Sequence, residues 1–235
     1  MENIENALYL VATPIGNLSD ISYRAVHILN SVDLIAAEDT RTSSVLLRHY
    51  SISTPLKSYH SHNISKETPK LIEKLKSGNS LALISDAGTP GISDPGYNLV
   101  YECIQNNIKV IPIPGAAAFI SALVASGLPT NKFVFEGFLP HKKGRQTRLN
   151  FLKDETRTII FYESPHRIVK TLNQLLYYLG DRKCVIAREI TKKFEDFIHG
   201  SLSELAKQLE NKKVKGELVL LVEGMSKQRK PKFDE

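Results

Sequence analysis

LALISDAGTPGISDPGYNLV, residues 81–100, runs from an apolar stretch through three glycines, two prolines and two aspartates toward a second apolar stretch. The short, aliphatic segment 81–85 reads as a buried strand, and Gly88, Gly91 and Gly96 carry the turn chemistry that follows it. A phosphate loop needs a Lys and a Ser or Thr at fixed spacing, and a dinucleotide fingerprint needs Gly-x-Gly-x-x-Gly. The spacing here, Gly-x-x-Gly-x-x-x-x-Gly, matches neither, and Asp86 and Asp94 stand where a phosphate would want positive charge. Glycines let backbone come close to a ligand, while carboxylates favour a cation or accept from hydroxyls and amines. A sulfonium nucleoside has that character, with a positive centre, an amino group, a ribose and no phosphate.

Working outward, seven more short apolar runs lie at 8–12, 34–37, 110–113, 133–138, 158–162, 184–187 and 218–222, separated by helical patterns. That alternation predicts an α/β fold. Between the first two runs Ile21, Ala25, Ile28 and Val32 recur at helical spacing behind Ser19 or Asp20 as the cap. SPHRIVKTLNQLLYYLG, residues 164–180, predicts a helix with Ser164 as N-cap, Pro165 at its first position and Gly180 as its stop. GAAAFISALVASG, residues 115–127, reads as a packing helix whose small side chains lie close to the sheet, with Gly127 ending it. The polar chemistry collects where strands end: TPIGN, EDTR, DAGTPG and PG in the first half, ESPHR and RE in the second. Open α/β sheets bind ligands at that edge, although any strand must end in a turn.

With 235 residues, 42% of them hydrophobic and 24% charged, the chain can bury one large core or two modest ones. Cys103 and Cys184 lie far apart without Cys-x-x-Cys spacing, which argues against a disulfide scaffold or a cysteine-rich zinc site and suits a reducing cytoplasm. No run reaches the roughly 20 apolar residues of a membrane span, and no basic leader precedes an apolar stretch. His60 and His62 have no Cys or third ligand near them, so no metal site is expected. The charge is divided unevenly. Residues 1–130 carry 9 Lys+Arg against 11 Asp+Glu, and residues 131–235 carry 22 against 14. A basic half suggests a bound polyanion. The shift coincides with Gly and Pro in ASGLPTNKF, residues 125–133, and predicts domains at 1–128 and 129–235.

LYLVATPIGNLSDIS, AEDTR, LISDAGTPGISDPG, IPIPGAAAFISALVASGLPT, FEGFLP and YESPHRI, in that order, resemble the bacterial family of small-subunit ribosomal RNA methyltransferase I, within the tetrapyrrole-methylase-like superfamily. The resemblance covers residue 8 to about residue 223. It implies a class III methyltransferase of two α/β domains with an S-adenosylmethionine cleft between them, acting as a homodimer. It also implies the substrate, the ribose 2'-hydroxyl of a cytidine in the decoding region of 16S rRNA, as free RNA or in the small ribosomal subunit. Carried over position by position, Pro14, Asp86, Ala87, Gly88, Thr89, Ile92, Ser93, Pro114, Gly115 and Ala116 are the expected cofactor contacts of the first domain. Tyr162, Ala187 and Glu217 are those of the second. Many relatives continue into a small C-terminal extension, whereas this sequence ends at Glu235 after KQRKPKF.

Methyl transfer is an in-line displacement that needs alignment and one proton acceptor. The candidates are Glu38, Asp39, Asp86, Glu163 and His166, with Arg41 and Arg167 placed to orient a carboxylate or hold a phosphate. The AEDTR loop, with Asp39 as acceptor and Glu38 and Arg41 beside it, is preferred over YESPHRI because it shares the ligand edge with Asp86. Asp39 also suits a helix cap before TSSVLLRHY, and both roles stay open. For RNA, Lys142, Lys143, Arg145 and Arg148 in PHKKGRQTR are the expected phosphate contacts, with 227–232 as the alternative surface. Two other functions compete: a methylase of a small tetrapyrrole-like molecule, which leaves the basic half unexplained, and a noncatalytic RNA-binding module, which leaves the strand-end loops unexplained.

Overall fold

The computed structural model describes residues 4–225, so the basic segment 227–232 lies outside the described residues. The chain divides into two compact units, Met1–Ala117 and Ala118–Glu235. This division falls ahead of the expected 128/129 boundary, because the small-residue helix packs on strands of the second sheet.

The first unit is built on five parallel strands, β1 (Leu8–Val11), β2 (Leu34–Ala37), β3 (Leu56–Ser58), β4 (Leu81–Ile84) and β5 (Val110–Ile113), in the order β3-β2-β4-β1-β5. Its inner strands are near-continuous apolar runs because both faces are covered. Helices α1 (Tyr23–Ser31) and α2 (Thr40–His49) bury Ala25, Ile28, Leu29 and Leu47 on one face with Tyr9, Val11 and Ile35. On the other face α3 (Ile64–Lys76) and α4 (Tyr97–Gln105) bury Leu71, Leu75, Leu99 and Cys103 with Leu8, Leu81 and Leu83. Each fully buried Leu or Ile contributes about 1.5–3 kcal/mol. The chain thus leaves β1 and β2 toward one face and β4 toward the other. That arrangement makes a topological switch on both sides of β4, where an open sheet parts its loops and admits a ligand.

Ser22 caps α1, its Oγ accepting from Ala25 N at 3.1 Å. Ser19 and Asp20, the expected caps, instead form a 3-10 turn held by Asn17, so the helix begins later.

The second unit carries β6 (Phe133–Phe138), β7 (Thr158–Glu163), β8 (Lys183–Arg188), β9 (Asp196–Ser201) and β10 (Leu218–Val222) in the order β6-β7-β10-β8-β9. β6 and β7 are parallel, and the other pairs are antiparallel. On one face α6 (Arg145–Phe151), α7 (Ile168–Leu179) and α8 (Leu202–Leu209) bury Leu149, Leu172, Leu175 and Leu205 against Ile159, Phe161, Ile186 and Leu220. On the other, α5 (Ala118–Ala125) packs on β7 and β10. Every residue of β10 is therefore buried.

Helix α7 starts at Ile168 with Arg167 at its cap position, not at Ser164 as expected. Residues 164–167 close a turn in which Arg167 N donates to Ser164 O at 2.9 Å. Within that turn Ser164 Oγ accepts from His166 N at 3.3 Å, and Glu163 Oε1 accepts from Ser164 N at 2.8 Å. Among the described residues no helix is long and apolar enough to cross a membrane.

Candidate functional site

Four loops at the C-terminal edge of the first sheet are tied to one another by hydrogen bonds. Thr13 after β1 and Gly88 after β4 exchange backbone bonds at 2.9 and 3.1 Å. The buried Thr13 Oγ1 also donates to Ser85 O at 3.2 Å. From the same loop Thr89 Oγ1 donates to Ala116 O after β5 at 3.1 Å. After β2, Asp39 N donates to Asp86 Oδ1 at 3.0 Å, and the Asp86 N–H is hydrogen-bonded to the Glu38 carboxylate in return. The edge is thus preorganised across β2, β4, β1 and β5.

Two glycines make that closeness feasible. Gly88 has φ +90°, and a Cβ there would sit 3.4 Å from Ile15 Cγ2. At Gly115 a Cβ would come within 2.8 Å of Ala12 Cβ, so any side chain pushes the β5 loop away from β1. The outer surface of the rim is left to Asp86, Ala87, Ile92, Ser93, Pro114 and Gly115, all exposed, with Pro14 half-buried beside them. These are expected cofactor positions, and the fold brings them to one edge with Gly88, Thr89 and Ala116 as their supports.

The charge at this edge is acidic. Burial raises the Glu38 carboxyl, and the nearby Asp86 raises it further, while His60 acts in the opposite direction. Asp94 is pushed up to about 6, first by burial and then by Glu38 and Asp86, despite a hydrogen bond from Ser85. Glu38, Tyr59, Ser85, Pro90, Asp94 and Pro95 share one small cavity. Asp94 was not among the expected site residues. The turn Asp94-Pro95-Gly96, so soon after Asp86, is the sequence signal that could have found it.

Asp39 behaves differently from Glu38. Its Oδ1 accepts from Arg41 N at 2.8 Å at the start of α2, and its Oδ2 accepts from Arg41 Nη2 at 2.6 Å. The Arg41 side chain holds the carboxyl down at about 2. Of the two roles left open for Asp39, the geometry supplies the helix cap, with Arg41 as its counter-ion.

The pKa of Asp94 has a consequence for stability. An aspartate ordinarily titrates near 3.8, so above pH 6 folding holds a carboxylate where it is less stable than in the unfolded chain. Asp94→Asn is expected to raise the melting temperature at pH 8. The gain should shrink as pH falls through 6 and vanish near 4, where the folded wild type already carries the proton. Differential scanning calorimetry across that range checks the sign, and a gain constant from pH 8 to 4 would refute it.

In the second unit, Tyr162 and Ala187 face each other across Val219 of β10, and Glu217 immediately precedes that strand. These three expected residues therefore share one edge of the second sheet. Glu217 Oε2 accepts from Lys192 Nζ at 2.9 Å.

The expected RNA contacts separate into two pairs. Arg145 is a correction: it is buried, donating to Gln174 Oε1 at 2.8 Å, Pro140 O at 3.1 Å and Thr171 Oγ1 at 2.7 Å. A guanidinium so enclosed is a structural clamp and has no free donor face for a phosphate. Arg148 is also engaged, its Nε and Nη2 donating to the Glu136 carboxylate at 2.5 and 2.7 Å. Lys142 and Lys143 are exposed, and no carboxylate among the described residues pairs with either.

A match to the family of Tetrapyrrole (Corrin/Porphyrin) Methylases spans residues 7–206. The chain is 53% identical over 230 residues to "Ribosomal RNA small subunit methyltransferase I" of Synechocystis sp., covering 97% of this chain and 82% of the relative. Among solved structures it resembles diphthine synthase, with a TM-score of 0.72 at 15% identity over 92% of this chain and 89% of that one. It also resembles uroporphyrin-III C-methyltransferase from Thermus thermophilus complexed with S-adenosyl homocysteine, with a TM-score of 0.62 at 17% identity over 92% and 96%. At those identities the two structures speak for the fold alone.

Proposed function

Since the chain belongs to the ribosomal RNA small subunit methyltransferase I family, within the tetrapyrrole methylases, we propose that it methylates the ribose 2'-hydroxyl of a cytidine in the decoding region of 16S rRNA. It is an S-adenosylmethionine-dependent methyltransferase. We take it to act in the cytoplasm and as a homodimer. The observation that carries the reading is the acidic, glycine-lined rim of the first sheet, found in a chain more than half identical to its relative over nearly its whole length.

The residues at the rim fit the cofactor. Asp86 offers a carboxylate to solvent, Gly115 exposes its backbone, and Arg41, the cation beside these loops, is paired with Asp39. In our reading Pro14, Asp86–Thr89, Ile92, Ser93 and Pro114–Ala116 hold S-adenosylmethionine, with Tyr162, Ala187 and Glu217 as the second unit's contacts. The cofactor supplies a methyl group on a positive sulfur.

What the chain adds is orientation and a proton acceptor. A ribose hydroxyl is too weak an acid to ionise first, so a carboxylate must accept its proton as the new C–O bond forms. Glu38 suits this task better than Asp39. Its raised pKa makes it the stronger base, whereas Asp39 is already bound to Arg41.

The test is methyl transfer from labelled S-adenosylmethionine to small subunits lacking the modification, with nuclease digestion and mass spectrometry of the product. A methylated cytidine ribose is expected. A methylated base, or label on a tetrapyrrole and none on RNA, would overturn the assignment. Asp86→Ala should weaken cofactor binding in calorimetry while the protein stays folded.

A further inference from the structure

A row of aromatic rings crosses the second unit. Phe119 stacks on Phe135 with centroids 4.5 Å apart, Phe135 meets Tyr162 edge-on at 5.1 Å, and Phe138 lies 5.6 Å from Tyr162. A bulge makes the row continuous. Phe135 pairs with Ile160 and Phe138 with Tyr162, two residues apart on β7, while three residues separate them on β6. The extra residue brings Phe135 and Phe138 to the same face, as β-bulges do when they re-aim a side chain. The last ring is not covered: Phe138 is 57% exposed.

The segment that follows is fixed from beneath. Arg167 Nη2 donates to Leu139 O at 2.9 Å, and Arg145 Nη1 donates to Pro140 O at 3.1 Å. Both guanidiniums rest on Glu163, whose side chain is 1% exposed: Arg167 Nε lies 3.2 Å from Oε1, and Arg145 reaches Oε2 through Thr171 Oγ1. This clamp spends two arginines on backbone carbonyls and leaves His141, Lys142, Lys143 and Gly144 facing solvent. An exposed phenyl ring therefore ends a supported aromatic row, and a few residues further along the chain stand two ammonium groups that no described carboxylate neutralises.

We propose that Phe138 and the Lys142–Lys143 loop form a docking surface for single-stranded RNA, one base stacking on the Phe138 ring while the two ammonium groups take adjacent phosphates. The proposal rests on the rRNA reading of the protein and assigns that substrate a place on the second unit. Charge complementarity selects the occupant. An apolar protein surface would gain nothing from the lysines, whereas single strands are held by stacking on aromatic rings together with a positively charged track. Arg145, Arg167 and Glu163 act as positioning residues, and Lys142, Lys143 and Phe138 make the contacts.

The probe is a short fluorescent oligoribonucleotide of the decoding-region sequence, with anisotropy titrations repeated over a range of salt. Phe138→Leu keeps an apolar side chain and removes the ring, so binding should weaken about tenfold. Its salt dependence should not change. Phe138→Trp should bind at least as well as the parent. Lys142→Ala with Lys143→Ala should lower the slope of log K against log salt by about 1.4, the value for two phosphates on a single strand. Phe138→Leu binding like the parent, or Phe138→Trp failing as badly as Phe138→Leu, would overturn the proposal. Because Phe138 is exposed, equal melting temperatures confirm that the comparison is between folded proteins. A parent that methylates small subunits while Phe138→Leu does so with the same KM defeats the docking surface alone. A parent that neither binds this RNA nor methylates small subunits defeats the rRNA reading, and the docking surface with it.

Discussion

Glu38→Gln is expected to slow single-turnover methyl transfer by a factor of about 10² to 10⁴ at saturating RNA, the range contributed by a positioned general base. Cofactor affinity should fall far less, because the amide retains the shape of the side chain and its acceptor oxygen toward the Asp86 backbone. Asp39→Asn should leave turnover near the wild-type rate. It loses the ion pair with Arg41 but keeps a capping oxygen at the start of α2, and Asn caps about as well as Asp. The wild-type rate should rise with pH through the raised pKa of Glu38 and then level off, since only the ionised form accepts a proton. Rapid-quench measurements at several pH values separate this step from product release. Near-normal turnover by Glu38→Gln, with the rate lost in Asp39→Asn, would return the acceptor role to Asp39.

Glu163→Ala is expected to destabilise the second unit by about 3–5 kcal/mol, the usual cost of removing one partner from a buried ion pair. Arg145 is only 6% exposed, and without Glu163 its charge is opposed by no buried carboxylate in the network. Thr171 Oγ1 and Ser164 N lose their acceptor in the same change. Hydrogen exchange of the β7 and α7 amides resolves the effect within this unit. A loss within the roughly 0.5 kcal/mol typical of surface substitutions would show that the network is not electrostatically coupled. Substituting Arg145 would therefore mix this effect with RNA binding, whereas Lys142 and Lys143 can be changed without touching the core.

Strands with a strong apolar signature were legible in the sequence, and β1, β2, β4, β5, β6, β7, β8 and β10 all lie where apolar runs predict them. The two others were not. β3 is only Leu-Lys-Ser, with no buried residue, and it exists because β2 offers it a parallel partner. β9, Asp-Phe-Ile-His-Gly-Ser, is a half-exposed edge strand whose pairing to β8 its composition does not reveal. The same distinction governs the site. The loops could be read because Gly, Pro and Asp follow each strand, but the elevated pKa of Asp94 depends on burial and on Glu38 across the sheet. Arg145 is the converse case. In the sequence it is one of four cations around a glycine, and only the fold shows that it points inward.

The position of β10 bears on how the protein is made. The strand nearest the end of the described chain is the central one of the second sheet, inserted between β7 and β8 and buried along its whole length. During synthesis the first unit has all five of its strands by residue 113 and can fold while later residues are still being added. The second cannot follow strand by strand. Until residues 218–222 leave the ribosome, β7 and β8 each present an open edge toward the gap, and open edges are templates for wrong pairing. Nascent chains truncated before residue 218 should therefore hold a protease-resistant first unit and a second that needs chaperone protection until its central strand is added.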